Sequence, residues 1–175
     1  IVGLVLVIAI GGMAGTLGQI RTDRLRAHTL RNIAHFTGQN LWFYAVTVIP
    51  LAQVFALEFT SPLWVMVFAA LFLRERMTPV KAVAGLLGFA GILVVVRPGE
   101  AELSPGMAAA AAAASFFAIT AILTKRLTRD QSITCIMFWL TVIQLGLGLI
   151  SCLYDGDMAL PTATSLPYVI VIALG

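Results

Sequence analysis

An all-α polytopic membrane protein is the fold class this sequence predicts, and three observations predict it. Hydrophobic residues make up 60% of the 175 and charged residues 11%, where a soluble domain carries about 25% charged residues; mean hydropathy is +0.99. The apolar residues come in continuous runs of roughly the 20 residues that a helix needs to cross a bilayer, without the period-two alternation of a strand. Of the 11 Lys and Arg, all but Arg97 fall in every second break between runs. Cytoplasmic loops keep Lys and Arg while translocated loops lose them. Loops 21–31, 74–81 and 125–130 therefore face the cytoplasm, and 48–50, 97–104 and 154–165 face outward.

The predicted spans follow in order: 1–20, 32–48, 51–73, 79–96, 105–123, 132–153, and a last one from 166 onward. The second is the shortest and most polar. Thr78-Pro79 and Ser104-Pro105 place an N-cap residue before a proline at the first helical position. Pro98-Gly99 ends the fourth span, and Pro161 and Pro167 bracket the entry to the last. Short breaks force neighbouring helices into antiparallel contact. The charge pattern makes the first span run inward, so a helix is expected before Ile1, and the chain reads as a fragment cut within spans at both ends. Glu100, Glu102, Asp155 and Asp157 collect on the outward side.

The net charge of +3 does not point to nucleic acid, because the bases are juxtamembrane topology signals rather than one basic face. They suit contact with anionic lipid, so the bilayer itself is an expected partner. Cys135 and Cys152 share one predicted helix, 17 residues apart, or roughly 25 Å. They cannot pair with each other, and their spacing is no metal motif. No metal and no cofactor is expected. There is no nucleotide-binding glycine loop and no Gly-x-Ser-x-Gly, so the chain does not read as an enzyme.

Glu58 is the sharpest chemical signal. It lies about 12 Å into its span by helix rise, where a carboxylate must be paired, protonated or hydrated. Pro62 stands four residues later. Its ring clashes with the carbonyl at i−4, that of Glu58, which predicts a kink that Thr60 and Ser61 partly re-satisfy. The functional reading is a cation or proton site facing a cavity; the structural one is a protonated Glu bonded to a neighbouring helix. On the second span, His35, Gln39 and Trp42 form one stripe and Asn40 and Tyr44 the next. These residues either line a substrate path with aromatic walls or bond between helices; His35 stands close to the cytoplasmic interface. Gln53, Trp139 and Gln144 read as packing or interface residues. Gly85, Gly88 and Gly91 thin one face of the fourth span for helix packing, and the run Ala108–Ala114 is thin on all sides. Glu75 opposes the dipole at its helix end, which suggests pairing with Arg74, Arg76 or Lys81.

Between residues 31 and 99 the chain resembles the EamA-type branch of the drug/metabolite transporter superfamily. The resemblance rests on Phe43-Tyr44-Ala45, Ile49-Pro50-Leu51-Ala52-Gln53, Thr60-Ser61-Pro62-Leu63-Trp64, Leu73-Arg74-Glu75-Arg76, the Gly85/Gly88/Gly91 helix and Val96-Arg97-Pro98-Gly99, in that order and spacing. It implies a fragment of a ten-helix transporter built as two inverted five-helix repeats. Residues 1–97 would be the first repeat without its first helix, 98–104 an outward-facing linker, and 105–175 the start of the second repeat. It also implies a multi-pass protein of the inner (plasma) membrane, exporting or exchanging small organic metabolites such as amino acids or drugs by alternating access. A small-molecule substrate is the expected partner, with room for a homodimer. Glu58 is not among the family's motif residues, so the resemblance assigns it no role. The alternatives are a membrane scaffold or assembly module, and an organophosphate or nucleotide-sugar exchanger. The latter should carry Lys or Arg at mid-span, where this chain has none.

Overall fold

A computed structural model describes residues 2–74, 78–96 and 104–156, with the side chains of Lys81, Val95, Val96 and Asp155 excepted. Glu75, Arg76, Arg97, Glu100, Glu102, Asp157, most of the expected linker and the span from 166 lie outside the described residues. Every regular element among those described is helical: α1 (Val2–Met13), a 3₁₀ turn (Leu17–Gln19), α2 (Leu25–Val48), α3 (Leu51–Glu58), α4 (Ser61–Leu73), α5 (Pro79–Val96), α6 (Pro105–Leu127) and α7 (Ile133–Asp155).

Three stretches among the described residues are long and apolar enough to cross a membrane: Leu51–Leu73, Pro105–Leu127 and Ile133–Tyr154. Helix α1 is shorter than the sequence predicts. It stops at Met13 because Gly15 takes a left-handed φ of +66°. The Thr16 amide then bonds back to the Gly11 carbonyl, and that of Gly15 to Gly12, the Schellman pattern that closes a helix. Helix α2 starts seven residues earlier than the predicted 32 and so takes in part of the basic loop.

Packing divides the chain into two compact units, 1–32 with 127–175 and 33–126, and the division runs through α2 after Asn32. In the first unit α1 packs on α7. A Cβ on Gly3 would come 3.3 Å from Thr141, and one on Gly11 would come 2.8 Å from Leu17 and 3.3 Å from Thr134. The Thr134 hydroxyl donates to the Thr16 hydroxyl at 2.9 Å. Helix α7 opens on Ser132, whose Oγ accepts the Cys135 amide, and closes on Gly156 at φ +69°.

In the second unit α6 supplies the small face. Ala109, Ala110, Ala113, Ala114 and Ala118 are buried, so packing selects one side of an alanine run whose sequence marks none. Gly38 lies under Phe116 and Phe117, and Gly106 under Val48 and Ile49, so α2 and α6 approach closely there. Ala45, Val54, Ala109 and Ala110 form one core cluster, packed by Leu41, Trp42, Val46, Ile49 and Leu57. Ala56, Ile92 and Met107 form a second.

On α5, a Cβ on Gly85 would meet Met66 and Leu63, and no described residue lies within 4 Å of one on Gly88 or Gly91. Both α3 and α4 pack on α5, and between them lies an apolar groove of about 450 Å³ lined by Phe59, Pro62, Met66, Gly85, Gly88 and Gly91, among others.

Candidate functional site

Glu58 is the last residue of α3, and its placement follows from the helix break. The Leu57 carbonyl takes the Thr60 amide at 3.0 Å and the Thr60 hydroxyl at 2.6 Å. Pro62 sits in the first turn of α4, where a missing N–H costs nothing. The span therefore bends through a two-residue break rather than a kink within one helix. Glu58 stands at the broken end, half-buried.

Trp42 on α2 donates its indole N–H to Glu58 Oε2 at 2.9 Å. Indole is a donor only and a carboxyl oxygen accepts, so the pair is matched. The Trp42 ring sits edge-on to Phe43, 5.5 Å between centroids, and tilted to Phe55 at 6.5 Å. Among the described residues Trp42 is the partner of this carboxyl group. Together these groups offer a carboxyl acceptor beside flat aromatic surface, which suits a ligand that carries N–H donors on a planar ring.

The other expected residues do not all join this pair. Gln39 is half-buried, one turn before the Trp42–Phe43 step. Asn40 is exposed and returns its amide to the Phe36 carbonyl at 2.8 Å, which satisfies it within its own helix. Tyr44 is 47% exposed, whereas its neighbour Ala45 is buried. His35 packs against Phe117 at 5.9 Å. The structure thus brings Trp42 and Glu58 together and leaves Asn40 and Tyr44 on the outer surface of the described residues.

A second polar centre, in the first unit, has no counterpart among the residues singled out as binding candidates. The Arg21 carbonyl accepts the Trp139 indole at 2.8 Å. The Arg21 amide approaches Cys135 Sγ at 3.4 Å. Gln131 reaches the Asp23 carboxylate at 3.3 and 3.4 Å, and Arg24 pairs with Asp130. Asn32 donates to the His28 carbonyl at 2.8 Å and accepts, at its own carbonyl, the Gln144 amide at 3.1 Å. The signal in the sequence is Gln131, just before α7, with Cys135 and Trp139 on α7, all spaced by four, facing His28 and Asn32, spaced by four on α2.

The EamA-like transporter family matches residues 1–97. A riboflavin transporter of Brucella anthropi is 32% identical over 143 residues, which cover 82% of this chain and 50% of the relative. An S-adenosylmethionine uptake transporter of Rickettsia bellii is 26% identical over 124 residues, 71% of this chain and 43% of the relative. The chain spans about half the length of these curated relatives. A solved crystal structure superposes with a TM-score of 0.71 at 23% identity, covering 99% of this chain and 61% of that one, which speaks to fold alone. With the match over residues 1–97 joined to apolar helices long enough to span a bilayer, this chain belongs to the EamA-like transporter family.

Proposed function

We propose that the full-length protein is a secondary carrier in the inner (plasma) membrane that moves a planar nitrogen heterocycle by alternating access, without changing it chemically. The observation that carries this reading is the Trp42–Glu58 pair at the end of a broken helix, with Phe43 and Phe55 beside it. Glu58 meets ring or amine donors of the substrate, and the aromatic cluster supplies a face for stacking. Two of the named relatives carry riboflavin and S-adenosylmethionine, and each of those solutes holds a flat nitrogen-containing ring. Amino acids or drugs, and export or exchange, were the finer expectations from the resemblance; the uptake named for one relative favours inward movement.

The test is accumulation of radiolabelled riboflavin, S-adenosylmethionine and a set of simple amino acids in cells expressing the full-length protein. Uptake of at least one heterocycle above the empty-vector level is the expected result. Movement of amino acids alone would overturn the reading. Collapse of uptake by a protonophore would assign the driving force to protons, and indifference to it would assign facilitated diffusion or exchange.

A further inference from the structure

His28 is fully buried on the first turn of α2, and among the described residues neither ring nitrogen has a hydrogen-bond partner. Every neutral imidazole carries one N–H donor and one acceptor. Buried polar atoms are almost always bonded, so an exception requires a reason. The ring lies 6.4 Å from that of Trp139, inside the hydrogen-bonded zipper that fastens 21–32 to α7. That zipper runs from Arg24–Asp130 and Asp23–Gln131 through Cys135 and Trp139 to Asn32–Gln144. A second buried polar side chain, Asn32, stands one turn further along α2 and bonds the His28 carbonyl at 2.8 Å. The groups around the imidazole are therefore satisfied, and the imidazole is not.

We propose that His28 is a proton-binding site that controls this zipper: the neutral ring is enclosed when the segment 21–32 is fastened to α7, and proton uptake releases it. Closed, the ring forgoes its hydrogen bonds. Released, both nitrogens reach water, and the Asp23 carboxylate becomes a partner for the imidazolium. The charges that bear on the ring are Arg31 on its own helix and Asp23 just before that helix; α7 brings Cys135, and the turn before α7 brings Asp130, which is tied to Arg24. His28 precedes the predicted span 32–48. Burial, reinforced by the Arg31 charge and opposed by Asp23, holds its pKa below the ordinary histidine value. A proton then binds more tightly to the released state, and by linkage acid favours release. In the expected orientation the segment 21–31 faces the cytoplasm, so the device is a gate sensitive to cytoplasmic acid.

Cys135 reports the zipper directly, being fully buried within it. The experiment takes the full-length protein in membranes, with Cys135 as its only cysteine, and a membrane-impermeant maleimide. The labelling rate is divided by that of the denatured chain at the same pH, which removes the general loss of thiolate in acid. The expected ratio rises about tenfold between roughly pH 7.5 and 5.5, a range that brackets the ordinary histidine value. In His28→Phe the ratio stays low and flat. In Asp23→Asn, which leaves the buried ring in place, the midpoint of the rise moves to lower pH. A flat or falling ratio in the wild-type protein would overturn the proposal. So would an unchanged rise in His28→Phe, or an unmoved midpoint in Asp23→Asn, which carries the test if His28→Phe does not fold. No substrate is needed, so failure here is separate from failure of the carrier reading.

Discussion

The two polar centres of this chain differ in what they leave unsatisfied. In the second unit one carboxylate meets one indole among aromatic and aliphatic side chains. A carboxyl group stands beside flat apolar surface, the arrangement on which the proposed solute site rests. In the first unit at least six side chains bond to each other and to backbone carbonyls, and the leftover capacity is an enclosed imidazole. That arrangement is complementary to another conformation of the chain. The proposed carrier would use both kinds: a place where binding energy is gained, and an element with two arrangements whose balance is open to change.

The largest expected effect falls on the first centre. Glu58→Gln keeps the size of the side chain and removes its charge. A hydrogen bond to a charged group contributes about 1.5–3 kcal/mol, so initial uptake should fall by roughly ten- to a hundred-fold, with the amount in the membrane unchanged. A comparable effect on stability separates the packed and open glycines. Gly38→Leu drives a side chain into Phe116 and Phe117 and should cost about 1–3 kcal/mol. Gly88→Ala and Gly91→Ala meet nothing within 4 Å and should gain about 0.5–1 kcal/mol from helix propensity. Thermal unfolding in detergent checks both. Destabilisation by Gly88→Ala or Gly91→Ala would mean that another helix covers the groove in the full-length protein.

Smaller effects sharpen the contrast. Trp42→Phe keeps the ring and loses the donor, a neutral-side loss of about 0.5–1.5 kcal/mol, so uptake should fall several-fold, less than for Glu58→Gln. An equal or larger fall would make Trp42 the principal contact. Stability should also respond to pH. The His28 pKa is lowered on folding, so the unfolded chain binds the proton more tightly. The stability tied to the neutral ring is complete above the unfolded value near 6.5 and is lost as pH falls below it toward the folded value. His28→Phe should remove that part of the acid sensitivity in a melting series. Arg24→Ala should change the melting temperature least. Its bond to Asp130 joins side chains that are 56% and 50% exposed, and such pairs contribute about 0.2–1 kcal/mol.

The difference between the centres also explains what the sequence made legible. Glu58 stands out because a carboxylate inside an apolar run contradicts its surroundings, and Trp42 belongs to a polar stripe on an otherwise hydrophobic helix. Both are visible in one dimension. Their direct bond spans 16 residues and depends on the break at Phe59-Thr60, which Pro62 signals. The zipper is different. Arg21, Asp23, Gln131 and Cys135 are ordinary residues for a loop and a helix start, and the bonds among them join positions more than 100 apart in the chain. Only the fold makes them a unit. Likewise Gly85, Gly88 and Gly91 look equivalent in sequence, yet among the described residues a Cβ on Gly85 alone of the three would meet a neighbour, which only the placement of Leu63 and Met66 on α4 decides. The extent of α1 was misread for a related reason: residues 14–20 are apolar enough to continue a helix, but Gly15 and the bonds of Thr16 close it.

The central claim is that Glu58 recognises the transported solute. The most direct measurement is the initial rate of uptake into proteoliposomes holding equal amounts of the full-length wild-type protein or its Glu58→Gln variant, with the heterocycle identified in cells as substrate. The account predicts a rate at least about tenfold lower for the variant. Equal rates would contradict it and return Glu58 to a structural bond with Trp42.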